Sequence, residues 1–174
     1  MINQMSFLFD QKWCIGCQAC VTGCQMRHRC PDDVRLRNAT SFEHQPKGPW
    51  ISLACNHCVK PACVPVCPVG ALVKRESDGI VVQDHDLCIG CQACVKACPY
   101  ESPVYVAEEN KTLRCDMCAA RLDSGDVPAC VEACPLKILT VDTVKNNEAA
   151  GGVPECAGFV VEATEPTTRF IPML

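Results

Sequence analysis

Sixteen of the chain's eighteen cysteines fall into four groups of four: Cys14, Cys17, Cys20, Cys24; Cys55, Cys58, Cys63, Cys67; Cys88, Cys91, Cys94, Cys98; and Cys115, Cys118, Cys130, Cys134. Groups one and three space their thiols as Cys-x2-Cys-x2-Cys-x3-Cys, a run that holds [4Fe–4S] cubanes through thiolate sulfur. A cubane presents its irons at the corners of a tetrahedron. Three thiolates from a tight loop reach three corners, and the fourth ligand must come from a distant segment. Four such groups imply four cubanes, and a chain that conducts electrons.

The residues around these thiols suit that chemistry. Pro68, Pro99 and Pro135 follow the last cysteine of three groups, where a fixed φ turns the chain away. Gln25 takes that place after group one. Gly16 and Gly90 let backbone N–H groups approach the sulfurs, and such bonds raise a cluster's potential. Group two (x2, x4, x3) and group four (x2, x11, x3) are looser. Group four also admits a four-thiolate zinc site built from its own Cys115, Cys118, Cys130 and Cys134.

Other candidates are weaker. Cys30 and Cys156 stand outside the groups and read as inert thiols. His57, between Cys55 and Cys58, reads as a packing or hydrogen-bonding neighbour of a cluster. His28, His44 and His85 belong to no constellation and read as surface residues. Lys60, Lys74, Arg75, Lys96, Arg114 and Arg121 flank the groups, either tuning potentials or lining a solvated face. Trp13 and Trp50 read as packing lids. No phosphate loop, nucleophile elbow or metalloprotease motif is present.

The elements that must position the thiols are repeated. Cys14–Cys20 and Cys88–Cys94 are both CIGCQAC; Pro61–Pro68 reads PACVPVCP and Pro128–Pro135 reads PACVEACP. The order A, B, A, B is that of a duplicated two-cluster unit. Turn signals predict a hairpin of Ala71–Arg75 with Ile80–Asp84 across Glu76–Gly79, and a second of Pro103–Ala107 with Thr112–Arg114. Ile138–Val144 and Phe159–Val161 read as strands, and segments such as Gln92–Ala97 as short helical turns. Residues 25–54 insert between groups one and two, with a Pro/Gly turn at Pro46–Pro49. Residues 1–144 then form a four-cluster core, and residues 145–174 an arm lying on the core or on a partner.

Composition bounds the rest. The 48% hydrophobic content includes the cysteines, and only 5% is aromatic, so the organic core is thin and the clusters act as staples. The formal charge of −4 falls to roughly −12 once four oxidised cubes of about −2 each are counted, which argues against a nucleic-acid surface. Thiols that take up iron must be reduced, which disfavours a disulfide scaffold and implies assembly in a reducing compartment. The opening MINQMSFLFDQKWC has no basic n-region, long apolar run or twin arginine, and no stretch approaches a membrane span. Export or membrane attachment is expected to come from a partner.

Taken as a set, CIGCQAC, SLACNHCVKPACVPVCPVGAL, VVQDHDLCIGCQACVKACPY and RCDMC–x11–CVEACP resemble the four-cluster iron–sulfur (B) subunits of the dimethyl sulfoxide reductase and molybdopterin oxidoreductase family, over about residues 5–140. The resemblance implies an α+β, double ferredoxin-like fold of two pseudo-repeated modules, with ligands swapped between groups. Cluster 1 would use Cys14, Cys17, Cys20 and Cys134; cluster 2 Cys55, Cys58, Cys63 and Cys98; cluster 3 Cys88, Cys91, Cys94 and Cys67; and cluster 4 Cys115, Cys118, Cys130 and Cys24. Related nitrate reductases carry tryptophan at the position of Cys91 and a [3Fe–4S] centre; cysteine here implies a cubane. The implied function is a non-catalytic electron-transfer subunit of anaerobic respiration. It would join a large catalytic subunit holding bis-guanine-dinucleotide molybdopterin to a quinone-reactive membrane subunit. A wire for a hydrogenase or formate-oxidising complex, a free-standing polyferredoxin and a zinc-loaded structural protein are the competing readings.

Overall fold

The computed structural model describes residues 3–41 and 49–173. His44, and the Pro46–Pro49 turn apart from Pro49, lie outside them. The chain opens in a strand that the cysteine pattern did not announce. β1 (Met5–Asp10) is the centre of a three-stranded sheet. β8 (Leu139–Thr143) pairs antiparallel on one side, Phe9 opposite Leu139; β9 (Arg169–Ile171) pairs parallel on the other, Phe9 opposite Phe170.

Successive side chains of a strand point to opposite faces. In β1 both faces are covered, so four consecutive residues are buried. Phe7 and Phe9 enter the main apolar core with Leu139 and Phe170. On the other face lies α5 (Val144–Ala149), whose buried Asn147 donates to Ser6 Oγ (2.7 Å) and Ser6 O (3.1 Å). Thr143 caps that helix by accepting from the Asn146 N–H, one of the donors left free in a first turn.

Both expected hairpins form. β4 (Leu72–Lys74) pairs with β5 (Val81–Gln83), and β6 (Val104–Val106) with β7 (Lys111–Leu113). Within the insertion, β2 (Asn38–Ser41) pairs with β3 (Trp50–Leu53). The helices are short and follow cysteine turns: α1 (Ala19–His28), α2 (Ala93–Ala97), α3 (Ala119–Asp123) and α4 (Ala129–Glu132). α1 and α4 pack closely because Gly23 has no side chain; a Cβ there would stand 2.7 Å from that of Ala133.

The strand expected at Phe159–Val161 does not form. Phe159 makes only an isolated bridge with Cys156, while Val160 is exposed. Its ring is held by side-chain packing, stacked on Tyr100 (5.3 Å between centroids) and tilted against Phe170 (4.8 Å). The open edge of β1 is taken by β9, further along. On the way there the segment straps the group-two loop. Val59 and Lys60 N–H donate to Glu165 O and Thr164 O, and Thr168 Oγ1 donates to Asn56 Oδ1 (2.6 Å).

Phe170 is fully buried. Phe170→Ala is expected to cost about 3–5 kcal/mol, as for other buried phenylalanines. Val160→Ala, on an exposed side chain, should stay within about 0.5 kcal/mol of wild type. Denaturant unfolding of the iron-loaded protein measures both; equal midpoints would show that β9 is not part of the folded core.

Candidate metal centres

Each cysteine group begins with the same backbone turn. The third residue of the Cys-x-x-Cys run has positive φ in all four: Gly16 (68°), His57 (41°), Gly90 (69°) and Met117 (56°). That conformation turns its backbone N–H toward the first sulfur. The N–H of His57 lies 3.4 Å from Cys55 Sγ, and that of Met117 lies 3.4 Å from Cys115 Sγ. Gly16 and Gly90 make the same bond to Cys14 and Cys88. His57 and Met117 hold this φ with side chains, but at position 90 a Cβ would stand 2.2 Å from the backbone oxygen of Asn110, so glycine is required there.

Each group ends in two cysteines four apart: Cys20/Cys24, Cys63/Cys67, Cys94/Cys98 and Cys130/Cys134. Cys20 and Cys24 ride on α1, Cys94 lies in α2 with Cys98 at its C-cap, and Cys130 lies in α4. Residues four apart share a helix face but sit about 6 Å apart along the axis. One turn therefore serves two neighbouring sites.

The thiols gather accordingly. Cys14, Cys17, Cys20 and Cys134 line one small cavity together with Phe9, Ile138 and Leu139. Cys55, Cys58, Cys63 and Cys98 line a second. Cys67, Cys88, Cys91 and Cys94 line a third. The four remaining thiols of the groups are neighbours of one another: Cys24 is acted on electrostatically by Cys130, Cys118 and Cys30, and Cys115 by Cys24, Cys55 and Cys130. Cys134 lies with group one, and so is not grouped with Cys115, Cys118 and Cys130 as a zinc site would require.

Burial pushes Cys14, Cys24, Cys58, Cys63, Cys115 and Cys118 away from ionisation, whereas Cys88, despite its own desolvation, is lowered by hydrogen bonds from Thr112 and Gly90. Cys24 is pushed up to about 12 and Cys58 to about 11, both chiefly by desolvation and then by neighbouring thiols. Cys115 is raised well above the usual thiol range for the same reasons. Such convergent, half-apolar thiol sets are stabilised as thiolates by a polycationic metal core. Similar cavities, four sulfurs each and N–H donors aimed at sulfur fit a cubane; the bound cluster supplies one-electron chemistry.

Several side chains are not where the sequence placed them. Arg114 is buried, its Nη2 2.7 Å from Cys55 Sγ and its Nη1 3.5 Å from Cys63 Sγ. Arg37, in the insertion, is 1% exposed and stacks 4.5 Å over the Phe7 ring. His28 is not a surface residue: its Nε2 lies 3.7 Å from Cys118 Sγ and 3.5 Å from Asp116. His57 is fully buried; its Nδ1 accepts from the Val81 N–H (3.0 Å), and its Nε2 faces Cys115 Sγ at 4.0 Å. Burial holds this imidazole neutral, well below the usual histidine range. Trp50 packs over Gly16, whereas Trp13 is exposed. Arg75 and Arg121 pair with surface acids, and Lys60 with Glu165. Cys30 and Cys156 pack against the core beside the four sets. The exposed basic residues carry no pattern that marks them off from Arg37 and Arg114 in sequence.

Residues 47–144 match the family described as a 4Fe-4S dicluster domain, and residues 11–27 match a 4Fe-4S binding domain. The sequence is 40% identical over 151 residues to the probable anaerobic dimethyl sulfoxide reductase chain YnfG of Escherichia coli, covering 80% of this chain and 73% of that one. It is 38% identical over 151 residues to the B chain of the anaerobic dimethyl sulfoxide reductase of Haemophilus influenzae, covering 79% and 73%. Against the B subunit of the tetrathionate reductase of Salmonella typhimurium the identity is 39% over 138 residues, covering 76% and 55%. Thiol sets shaped for cubanes, the domain matches and these relatives converge: the protein belongs to the 4Fe–4S iron–sulfur subunits of the dimethyl sulfoxide reductase family, which carry electrons and are not catalysts on their own.

Proposed function

We propose that the chain is a four-centre wire that passes single electrons between a quinol-side donor and the active site of a molybdopterin catalytic subunit. The observation that carries this reading is the gathering of sixteen thiols into four crossed sets. Cys14, Cys17, Cys20 and Cys134 are the ligands of cluster 1, and Cys55, Cys58, Cys63 and Cys98 those of cluster 2. Cys88, Cys91, Cys94 and Cys67 hold cluster 3, and Cys115, Cys118, Cys130 and Cys24 hold cluster 4. The three cavity linings and the electrostatic grouping of the fourth set support this assignment. The repeated turns support a double ferredoxin-like arrangement of residues 1–144, with 25–54 as an insertion and 145–174 as an arm.

The four sites form a row in the order 1, 4, 2, 3. Helix α1 joins the first two, carrying Cys20 and Cys24. His57 joins the next two, bonded to Cys55 and facing Cys115. Cys63 and Cys94 share a small apolar cluster with Leu72 and Val81, which joins the last two. Cys17 and Cys91, at opposite ends of the row, are the exposed members of their sets.

Among the described residues no helix is long and apolar enough to cross a membrane. We assign membrane attachment to a separate quinone-reactive subunit, and export, where it occurs, to the catalytic subunit that holds this chain.

The anaerobically purified complex should contain about sixteen irons per copy of this chain, beyond those of its partners, with molybdenum or tungsten co-purifying. Iron at that level without either metal would transfer the wire to a hydrogenase or another machine. Cys134→Ser should perturb the centre held by Cys14, Cys17 and Cys20; an EPR change confined to the Cys115/Cys118 centre would refute the crossed ligation. Gly90→Ala should remove about a quarter of the iron by blocking one turn, and full iron content in that variant would separate the turn from cluster loading.

A further inference from the structure

Burying a cluster resists its reduction. An oxidised cube with four thiolates carries about −2, and each electron adds a further negative charge in a poorly solvated place. The two inner sites of the proposed row, holding Cys24, Cys115, Cys118, Cys130 and Cys55, Cys63, contain most of the buried thiols. Without compensation they would be the hardest steps in the wire.

Two guanidiniums lie in those sites. Arg114, at the end of β7, sits between the inner sets. Its Nη2 and Nη1 reach Cys55 and Cys63, and Cys115 is the next thiol acting on it. Arg37 lies at the other junction, where the thiols acting on it are Cys130, Cys115, Cys20 and Cys24. Its Nη1 is spent on Ser52, donating to Oγ (3.1 Å) and O (3.3 Å), and Ser52 Oγ in turn contacts Cys20 Sγ at 3.4 Å. Among the described residues, Arg37 Nε and Nη2, and Arg114 Nε, are buried without an acceptor. Nor does any carboxylate of the described residues pair with either guanidinium, unlike Arg75, Arg121 and Arg169, which pair with acids. A buried charge without a carboxylate partner is costly unless an anion faces it. Here the anions are thiolate sulfurs. Arginine stays charged at every physiological pH, which makes these fixed charges.

The structure assigns Arg37 and Arg114 as the residues that raise the potentials of the buried centres, Arg114 acting on the Cys55/Cys58/Cys63/Cys98 site and Arg37 on the two sites that meet at α1. The assignment rests on the four-centre reading above. It leaves the Cys67/Cys88/Cys91/Cys94 site untouched, since among the described residues neither arginine hydrogen-bonds to that set and the cation acting on Cys88, Lys111, is partly exposed.

EPR-monitored redox titration of the purified complex tests this. Iron content and the number of signals report on the four-centre reading; midpoints report on the arginines. In Arg114→Gln one inner centre should fall by about tenfold in its reduction constant, which is about 59 mV for one electron. In Arg37→Gln the centres at the other junction should fall similarly. The centre identified by its change in Cys91→Trp should hold its midpoint in both. Arg114→Lys and Arg37→Lys keep the charge but lose the fork that reaches two partners, so a smaller fall in the same centres is expected. Four unchanged midpoints in iron-loaded Gln variants would overturn the assignment, as would a uniform fall that includes the Cys91 centre. Where a Gln variant fails to load iron, an unchanged midpoint in the neutral Arg114→Met or Arg37→Met variant overturns it.

Discussion

The structure depends on a repulsion that it must overcome. Four thiols are drawn together in each of four places, half of them buried. In three of those places desolvation and then the neighbouring thiols push against ionisation, as the rise of Cys24 to about 12 records. Such sets cannot all become thiolates unless a polycation lies between them. Loading with iron and folding are therefore expected to be coupled. The apolar core shows the same dependence: Cys24, Cys55, Cys115, Cys130 and Cys134 belong to the same buried cluster as Phe7, Phe9, Leu139 and Phe170. With few aromatic residues to pack, the chain places its metal sites where a larger protein would place leucines.

The proposed crossed pairing would tie this core together over long stretches of chain. Cys134 joins the cavity of Cys14 across most of the sequence, and the same two regions meet again in the sheet, where Phe9 lies opposite Leu139. Sheet and cavity reinforce each other, since Phe9 and Leu139 also line that cavity. The i, i+4 placement of the last two cysteines makes this possible at little conformational cost. One helical turn, already paid for by its own hydrogen bonds, sends one sulfur into each of two adjacent sites. At the group-two loop, which has no sheet of its own, the C-terminal segment supplies the restraint through Asn56, Val59 and Lys60.

What was legible in the sequence was local. The β4–β5 and β6–β7 hairpins follow from turn residues lying within ten positions of their strands, and the sulfur spacing sets the backbone turns directly. What escaped was long-range. β1 carries no turn signal, and its partners lie more than a hundred residues away. Phe159–Val161 has the apolar composition of a strand, but the edge of β1 was filled by Arg169–Ile171, a segment that also carries arginine and borders proline. The basic residues were least legible. Neither Arg37, in VRLR, nor Arg114, beside Cys115, carries a local pattern that sets it apart from the arginines that pair with surface acids. Only the packing of the insertion over α1, and of β7 against the group-two loop, separates a solvated cation from a buried one.

The two ends of the proposed row raise a problem of recognition that the duplication itself creates. Both are built from the same heptapeptide, so both present an exposed cysteine beside an exposed isoleucine: Cys17 with Ile15, and Cys91 with Ile89. Two different partners cannot tell such tips apart by the loop alone. The flanks differ. Trp13 and Leu136 stand exposed beside the first tip, whereas Leu87 and Val69 stand beside the second. The first tip is therefore flanked by an aromatic and a leucine side chain, and the second by aliphatic ones only. In the proposed row, these flanking residues outside the duplicated motif are what would distinguish the two ends to different partners.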